Sequence, residues 1–164
     1  MVYNGKPTRE WLTREDLTSP TAALESIMLT AIVDANEGRD VMSCNIPNTY
    51  IQAKLPNLGP DNKRVIMKIT GVLVDLVVNI SPEVYGPYAV TDKNKIVLYV
   101  QVLRGLYDML YSGIVWYKKL QKDLEGNSYV FNPFDPCVAN KIVRHKRHTI
   151  QFHVDDLMSQ PQRP

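Results

Sequence analysis

The stretch HTIQFHVDDLM, residues 148–158, alternates apolar and polar side chains and then presents two adjacent acids. Because successive side chains of a strand point to opposite faces, Ile150 and Phe152 share one face and the acids follow at the strand's end. Asp155 and Asp156 are therefore a candidate cradle for a hard divalent cation such as Mg²⁺. Adjacent acids also end ordinary strands in solvent, so the pair alone leaves both interpretations open.

A second run rich in β-branched residues precedes this strand and predicts a hairpin. Residues 137–143 and 149–154 are the predicted strands, joined by the basic tip RHKRH. Three cations of the tip are candidate contacts to nucleic-acid phosphates, because they release counterions on binding a backbone: Arg144, Lys146 and Arg147. A solvated turn is the alternative, since no aromatic residues for base stacking lie between the charges.

The remaining pattern predicts a mixed α+β fold with a mainly antiparallel sheet packed by helices. A long amphipathic helix is expected from an N-cap at Ser19 and Pro20 to a stop at Gly38, with its apolar stripe buried. A second long helix is expected from Leu106 to Gly126. Further predicted segments are an extended run at 41–52, a strand at 65–69, a helix at 73–80 and a strand at 95–103.

Composition is typical of a folded globular protein, with 45% hydrophobic and 22% charged residues in a chain of 164. The formal net charge of +2 is too small to indicate nucleic-acid binding by itself. Cys44 and Cys137 form no C-x-x-C pair, and no signal peptide or membrane-spanning segment is recognised. We therefore expect an intracellular protein, cytoplasmic or nuclear, without disulfides or contact with a membrane.

Four blocks, in order along the chain, resemble the reverse transcriptases of copia-type LTR retrotransposons. FHVDD and the hairpin before it are similar to the family's aromatic-x-Asp-Asp box and its hairpin. SPTAALESIMLTAIVDANEGRDV resembles the helix before the first palm strand, and VLYVQVLRGLYDMLYSGIVWYKKL resembles a later strand and helix. FNPFDPCV matches the segment with an Asp-Pro-Cys triplet, here Asp135 to Cys137. Together the blocks cover about Ser19 to Met158.

The resemblance implies an RNA-directed DNA polymerase, a nucleotidyltransferase of a transposable element, whose palm domain uses two magnesium ions. On this mapping Asp155 and Asp156 are catalytic metal ligands, and Tyr50 stands at the aromatic position that screens the sugar 2′ site. The implied partners are an RNA template, a DNA primer and deoxynucleoside triphosphates. The implied domains are a lead-in at 1–18, a partial fingers and palm domain at 19–159, and a tail at 160–164.

Asn45 stands where the family carries its early catalytic aspartate. An amide oxygen has no charge, so the loss should cost several kcal/mol, equivalent to a rate loss of about 10³ or more. Asp40 does not substitute, because five residues are roughly 16 Å of strand and an odd offset points to the opposite face. We therefore expect little or no polymerisation.

The helix block departs from the family where Asp108 replaces a glycine, and no template or nucleotide contacts are inferred from the positions that follow: Leu110, Tyr111, Gly113 and Ile114. Three matching aromatic residues are expected in the core: Tyr107, Trp116 and Tyr117. Pro161 and Pro164 are expected to interrupt the strand that returns from the acid pair, with the thumb and ribonuclease H parts missing.

Two rival functions stay open at this point. One is a non-enzymatic retroelement remnant that binds nucleic acid weakly through the basic tip. The other is a small metal-dependent phosphotransfer or hydrolase domain that uses Asp155 and Asp156 with a third, unrecognised ligand. The sequence does not indicate an oligomeric state.

Overall fold

The computed structural model describes residues 18–56 and 64–162, which form two compact units. The smaller unit lies within Leu55–Arg104, and the larger unit is formed by the segments on either side of it. Both units combine antiparallel sheets with helices, so the predicted mixed class is confirmed. The predicted lead-in lies outside the described residues up to position 17. Within the described ranges, no helix is both long enough and apolar enough to cross a membrane.

Helices and strands alternate irregularly along the chain. In order they are α1 Leu24–Glu37, β1 Met42–Asn45, α2 Thr49–Gln52, β2 Ile66–Thr70, α3 Val72–Ile80, α4 Pro82–Tyr85, β3 Ala89–Asp92, β4 Lys95–Gln101, α5 Ser112–Gly126, β5 Val130–Phe131, β6 Val138–Val143, β7 Lys146–His153 and β8 Asp156–Pro161. The larger unit contains a five-stranded sheet of order β1-β8-β7-β6-β5, and the smaller unit a three-stranded sheet of order β2-β4-β3. Every neighbouring pair is antiparallel.

Helix α5 forms the main core of the larger unit by packing against the five-stranded sheet. Its buried side chains recur at helical spacing, including Ile114, Tyr117, Leu120 and Leu124. The ring of Tyr117 lies 6.1 Å from that of Phe152 in β7. The smaller unit has its own core, in which α3 packs on its sheet: Ile69, Val74 and Leu98.

The expected core positions of Trp116 and Tyr117 are confirmed, since both are buried in α5. The expectation for Tyr107 is wrong, because its side chain is 51% exposed. The helix begins at Ser112 rather than at Leu106, so Tyr107 precedes it and does not lie on its buried stripe.

Helix α1 has the predicted helical period, but the expectation that its apolar stripe is buried is wrong. Thr30 Oγ1 donates to Gln151 Oε1 at 3.0 Å, and Arg39, just beyond the helix, donates to Thr149 Oγ1 at 3.1 Å. Five apolar side chains of the helix are 39–66% exposed: Leu24, Ile27, Met28, Leu29 and Ile32. The reason is that β7 presents polar side chains to this helix, so its polar residues find their partners there.

The predicted end of α1 is confirmed and its predicted start is wrong. Gly38 has a φ of 58°, the left-handed conformation that glycine adopts readily at helix C-termini. The helix starts at Leu24 instead of following Ser19 and Pro20. The residue before it is tied to a distant part of the chain, because Ala23 N–H donates to Asp135 Oδ2 at 3.0 Å.

Strand β8 corrects the expectation that the return strand is interrupted. It runs from Asp156 to Pro161 and pairs with both β1 and β7. Pro161 occupies the last strand position, where its missing N–H does not break the ladder before it. Gln160, placed in the tail by the sequence, is a strand residue that is only 1% exposed. Pro164 lies outside the described residues.

Two other predicted boundaries differ from the structure, and the prediction lacks strand β3. The extended run at 41–52 divides at Pro47 into β1 and the short helix α2. The basic tip has only two turn residues, Arg144 and His145, because β7 already begins at Lys146. Strand β3 was not predicted, and it joins β4 through a turn at Lys93 and Asn94, both with positive φ.

Candidate functional site

A two-residue turn between β7 and β8 carries the acid pair, and we call residues 153–156 the acid turn. His153 pairs with Asp156, so Val154 and Asp155 occupy the turn. Val154 has a φ of 57°, in the left-handed region that β-branched residues rarely adopt. Such a conformation persists only where the surrounding contacts fix the backbone.

Two hydrogen bonds from other elements hold the acid turn. Trp116 Nε1 of α5 donates to the Val154 carbonyl at 2.7 Å. The amide of Ile46, just after β1, donates to the Asp155 carbonyl at 2.8 Å. Trp116 is therefore a core residue that also positions the turn. Helical spacing did not reveal the second role, although a buried indole N–H usually signals a nearby acceptor.

Strand β1 brings Asn45 to the acid turn. Asn45 is the register partner of Asp156 in the antiparallel pair of β1 and β8. Its side-chain Nδ2 donates to Asp156 Oδ1 at 3.2 Å, across 111 positions of sequence. Both side chains are exposed. The meeting of position 45 with the acid pair, expected from the sequence, is thus found in the structure.

Tyr50 lies beside the acid turn on the short helix α2. Its ring packs edge-to-face against that of Tyr107, with 5.0 Å between the centroids. Burial raises the pKa of the Tyr50 hydroxyl, and the negative charge of Asp155 raises it further. Gly105 permits this packing, because a Cβ at that position would lie 2.7 Å from the Tyr50 carbonyl oxygen. The side chain placed near the sugar by the resemblance is therefore close to the acids.

The donor set at the acid turn consists of two carboxylates and one amide. Within 18–56 and 64–162, no group of three or more His, Cys, Asp or Glu side chains is arranged to hold a metal ion. Asn45 presents its amide nitrogen to Asp156 and so occupies a carboxylate oxygen that a cation would require. This set does not fit two Mg²⁺ ions, which need charged oxygen ligands.

Asp40 does not complete the set. Its backbone amide donates to the Pro161 carbonyl at 3.3 Å, which places it at the other end of the β1–β8 pair from the acid turn. The sequence expectation that Asp40 cannot replace a carboxylate at position 45 agrees with this placement. Among the described residues, this point of the fold therefore has two carboxylates, those of Asp155 and Asp156, and not three.

Asp135 is a buried carboxylate, 3% exposed, with a structural role that the sequence did not indicate. Its Oδ2 accepts the Ala23 amide at 3.0 Å, and its Oδ1 accepts the Cys137 amide at 2.9 Å. Burial alone would raise the pKa of Asp135, but hydrogen bonds from the Ser26 side chain and the two amides outweigh it and lower the pKa. Local spacing carries no signal for a contact across 112 positions.

The basic tip lies at the opposite end of β7 from the acid turn. Arg144, Lys146 and Arg147 line an open groove of about 380 Å³ there. The seven residue steps from Lys146 to His153 correspond to about 23 Å of strand. The candidate nucleic-acid residues and the candidate metal residues therefore form two separate sites.

No family model, no curated protein and no solved structure matches this chain. The chemistry of the acid turn is therefore argued from its donor atoms, its register and the sequence blocks described above.

Proposed function

We propose that this chain derives from the palm region of a copia-type retrotransposon reverse transcriptase and that it is catalytically impaired as it stands. The register of β1 and β8, which sets Asn45 against Asp156, carries the proposal. Two-metal nucleotidyl transfer needs acids from distant parts of the chain at one point. Strands β1 and β8 pair so that position 45 lies beside Asp155 and Asp156, and position 45 has an amide instead of a carboxylate.

The surroundings of the acid turn support the same ancestry. Tyr50 lies near Asp155, as the resemblance implies for a residue that faces the nucleotide sugar. The five-stranded antiparallel sheet packed by α5 is compatible with a palm-like architecture. The polymerase substrates, which are an RNA template, a DNA primer and deoxynucleoside triphosphates, belong to this proposal.

The missing charge explains why activity should be low. Asn45 has no negative charge to balance a cation, and it donates a hydrogen bond where a ligand oxygen is required. A loss of several kcal/mol in transition-state stabilisation corresponds to a rate lower by about 10³ or more. Neither Mg²⁺ nor the polymerase step is therefore assigned to the unaltered chain.

Primer extension tests the proposal with the chain and its Asn45→Asp variant, each supplied with Mg²⁺ or Mn²⁺. We expect extension by the variant at least about 10³ times faster than by the unaltered chain. The double variant Asn45→Asp/Asp155→Asn is the control, because it carries the added acid at position 45 but still has only two carboxylates, as the unaltered chain does. Its inactivity excludes a contaminating polymerase.

Two outcomes would contradict the proposal. Efficient metal-dependent extension by the unaltered chain would show that Asn45 does not impair the site. An Asn45→Asp variant that binds metal, as judged by its thermal stability, yet extends no primer would argue against descent from a polymerase.

A further inference from the structure

The basic tip forms a second surface that the proposed palm chemistry does not use. Its first groove, of about 380 Å³, is lined by the side of the β6–β7 hairpin and the end of β8: Val143, Arg144, Lys146, Arg147, His148, Pro161 and Gln162. A second groove of about 350 Å³ shares Arg147 and adds Lys141 and Asn140. None of the described lining residues is acidic.

The charge at this surface is locally positive although the whole chain carries only +2. Arg144 and Arg147 form no ion pair with another described residue. Asp40 approaches the first groove through the bond from its amide to the Pro161 carbonyl. Asp40 contributes one negative charge, and Lys141, Arg144, Lys146 and Arg147 contribute four positive charges, so the net charge of this surface is positive.

The backbone of the tip determines where its side chains lie. Arg144 has a φ of 50° and His145 a φ of 66°, so both turn residues adopt the left-handed conformation. Two-residue turns of this kind favour Asn-Gly, and a long side chain at such a position costs roughly 1 kcal/mol. Positive φ at both central residues is what a two-residue hairpin turn requires, and Lys93 and Asn94 adopt it as well, so these angles place Arg144 at the tip and do not by themselves indicate a ligand.

We propose that the two grooves around Arg147 bind the phosphodiester backbone of a nucleic-acid strand, without base specificity and without metal ions. Arginine suits this ligand because its planar guanidinium pairs with phosphate through two hydrogen bonds. The grooves lie on both sides of Arg147, so a strand that crosses the hairpin meets cations along its path. A flat anionic membrane would contact only one side of the tip. This binding site lies about 23 Å from the acid turn, and binding there does not depend on the proposed polymerase ancestry.

Salt-dependent binding of a fluorescently labelled single strand of 20 nucleotides tests the site by anisotropy. Contacts from Lys141, Arg144 and Arg147 predict a slope of about −2.1 in log affinity against log salt, or a loss of about 18-fold between 50 and 200 mM salt. The Arg144→Gln/Arg147→Gln variant should reduce the slope to about −0.7, a loss of about 3-fold over the same range. The matched control is Lys118→Gln/Lys122→Gln, which removes the same charge from exposed positions of α5. It should leave the slope unchanged.

A second variant separates binding from folding. Arg144→Asn/His145→Gly introduces the residues that the turn conformation prefers, so it should unfold at a temperature equal to or higher than the unaltered chain. Its affinity for the strand should nevertheless fall, with the slope reduced by about 0.7 for the one lost arginine contact. A fall in affinity without a fall in stability therefore shows that Arg144 contributes to binding and not to folding.

Three outcomes would overturn this inference. The first is an equal loss of affinity in the α5 control, which would indicate a response to net charge alone. The second is binding to vesicles that contain phosphatidylserine with no binding to the strand. The third is loss of strand binding in Asp156→Asn, which would place the strand at the acid turn. Binding through the tip by a chain whose Asn45→Asp variant extends no primer would preserve this inference and contradict only the proposed ancestry.

Discussion

At position 45, one atom of one side chain decides the chemistry of the acid turn. An aspartate there would set a third carboxylate beside Asp156 and Asp155, and the repulsion would require a cation. Asn45 instead donates a hydrogen bond to Asp156, so strand β1 is joined to β8 without any ion. Asn45 therefore makes a structural contact at a position where an aspartate would favour a cation.

Thermal unfolding of Asn45→Asp tests this replacement. In EDTA we expect the variant to be less stable by about 1 kcal/mol, because it loses the bond and gains like charges, which corresponds to a Tm lower by about 2–4 °C. Mg²⁺ at ten times its Kd should return about 1.4 kcal/mol to the variant. The unaltered chain, measured in the same two buffers, should not respond. An equal response of both proteins to Mg²⁺ would contradict the argument.

Asp135 is a second residue whose role depends on distant partners. Its carboxylate accepts hydrogen bonds from the amides of Ala23, just before α1, and Cys137, just before β6. These bonds lower the pKa of Asp135 below the ordinary value of 3.8. A carboxylate that is harder to protonate when folded stabilises the folded state above the unfolded pKa. That contribution is lost as the pH falls through the lowered folded pKa.

Asp135→Asn should reduce the free energy of unfolding by about 1–3 kcal/mol at pH 7, since its NH₂ group would face amide donors. The difference from the unaltered chain should shrink below about pH 4, where the aspartate itself becomes protonated. Urea unfolding at a series of pH values measures this, with Asp75→Asn as an exposed control. A difference that stays constant down to pH 2.5 would mean that the charge of Asp135 is unimportant.

The resemblance led to the prediction that position 45 meets the acid pair, and the pairing of β1 with β8 that brings them together was not predicted. The roles of Asp135 and Trp116 were not predicted. Each depends on one hydrogen bond to a remote carbonyl or amide, and neither periodicity nor local spacing contains that information.

Among the elements, the β7–β8 hairpin has a strained backbone at Val154, and a hydrogen bond from α5 helps to hold it in that conformation. Val154 adopts its positive φ while its carbonyl accepts the indole N–H of Trp116. The Asp155 carbonyl is fixed on the other side by Ile46. The acids are therefore held by their backbone, independently of any ligand.

Trp116→Phe should cost about 2 kcal/mol, because it leaves the Val154 carbonyl without its donor and removes buried volume. In a Val154→Gly background the same substitution should cost less, since glycine adopts the turn without strain. A double-mutant cycle by urea unfolding measures the coupling between the two positions. Equal costs in both backgrounds would show that the indole does not hold the strained turn.

Helix α1 and helix α5 have similar apolar periods but opposite burial. Ile32 of α1 is 66% exposed, whereas Ile114 of α5 is 8% exposed. Ile32→Gln should therefore change stability by no more than about 0.5 kcal/mol, and the matched Ile114→Gln should cost about 3 kcal/mol or more. Chemical denaturation of both variants decides the matter. A large cost at Ile32 would mean that α1 docks through its apolar face.

This contrast shows how far elements were predictable. The existence of α1, α3, α5 and the β6–β7 hairpin was predicted, because their periods are local properties of the chain. The buried face of α1 was not, since the helix turns Thr30 towards Gln151 of β7 and leaves its apolar side chains exposed. Strand β8 was missed because Pro161 was expected to interrupt it. A proline removes only its own N–H from the hydrogen-bond ladder, so residues 156–160 can still pair.

For the whole molecule, the larger unit is assembled from segments that are distant in sequence. Residues 55–104 form the smaller unit and separate α2 from α5, and β1 pairs with β8 across more than 100 positions. Long-range pairing of this kind is slow to form, because the loop must close before the contacts are made. We therefore expect the five-stranded sheet to open as one cooperative block once it has formed.

The two cysteines report on this block with opposite exposure. Cys44 is exposed on β1, whereas Cys137 is 0% exposed beside Asp135 and β7, where burial raises the pKa of its thiol to about 12. At pH 7.5 a thiol reagent should modify Cys44 at once, and Cys44→Ser should abolish this fast phase. Cys137 should react only through opening of the sheet, so its rate should rise with urea as steeply as global unfolding does. Fast reaction of both thiols in native buffer would contradict a cooperative sheet.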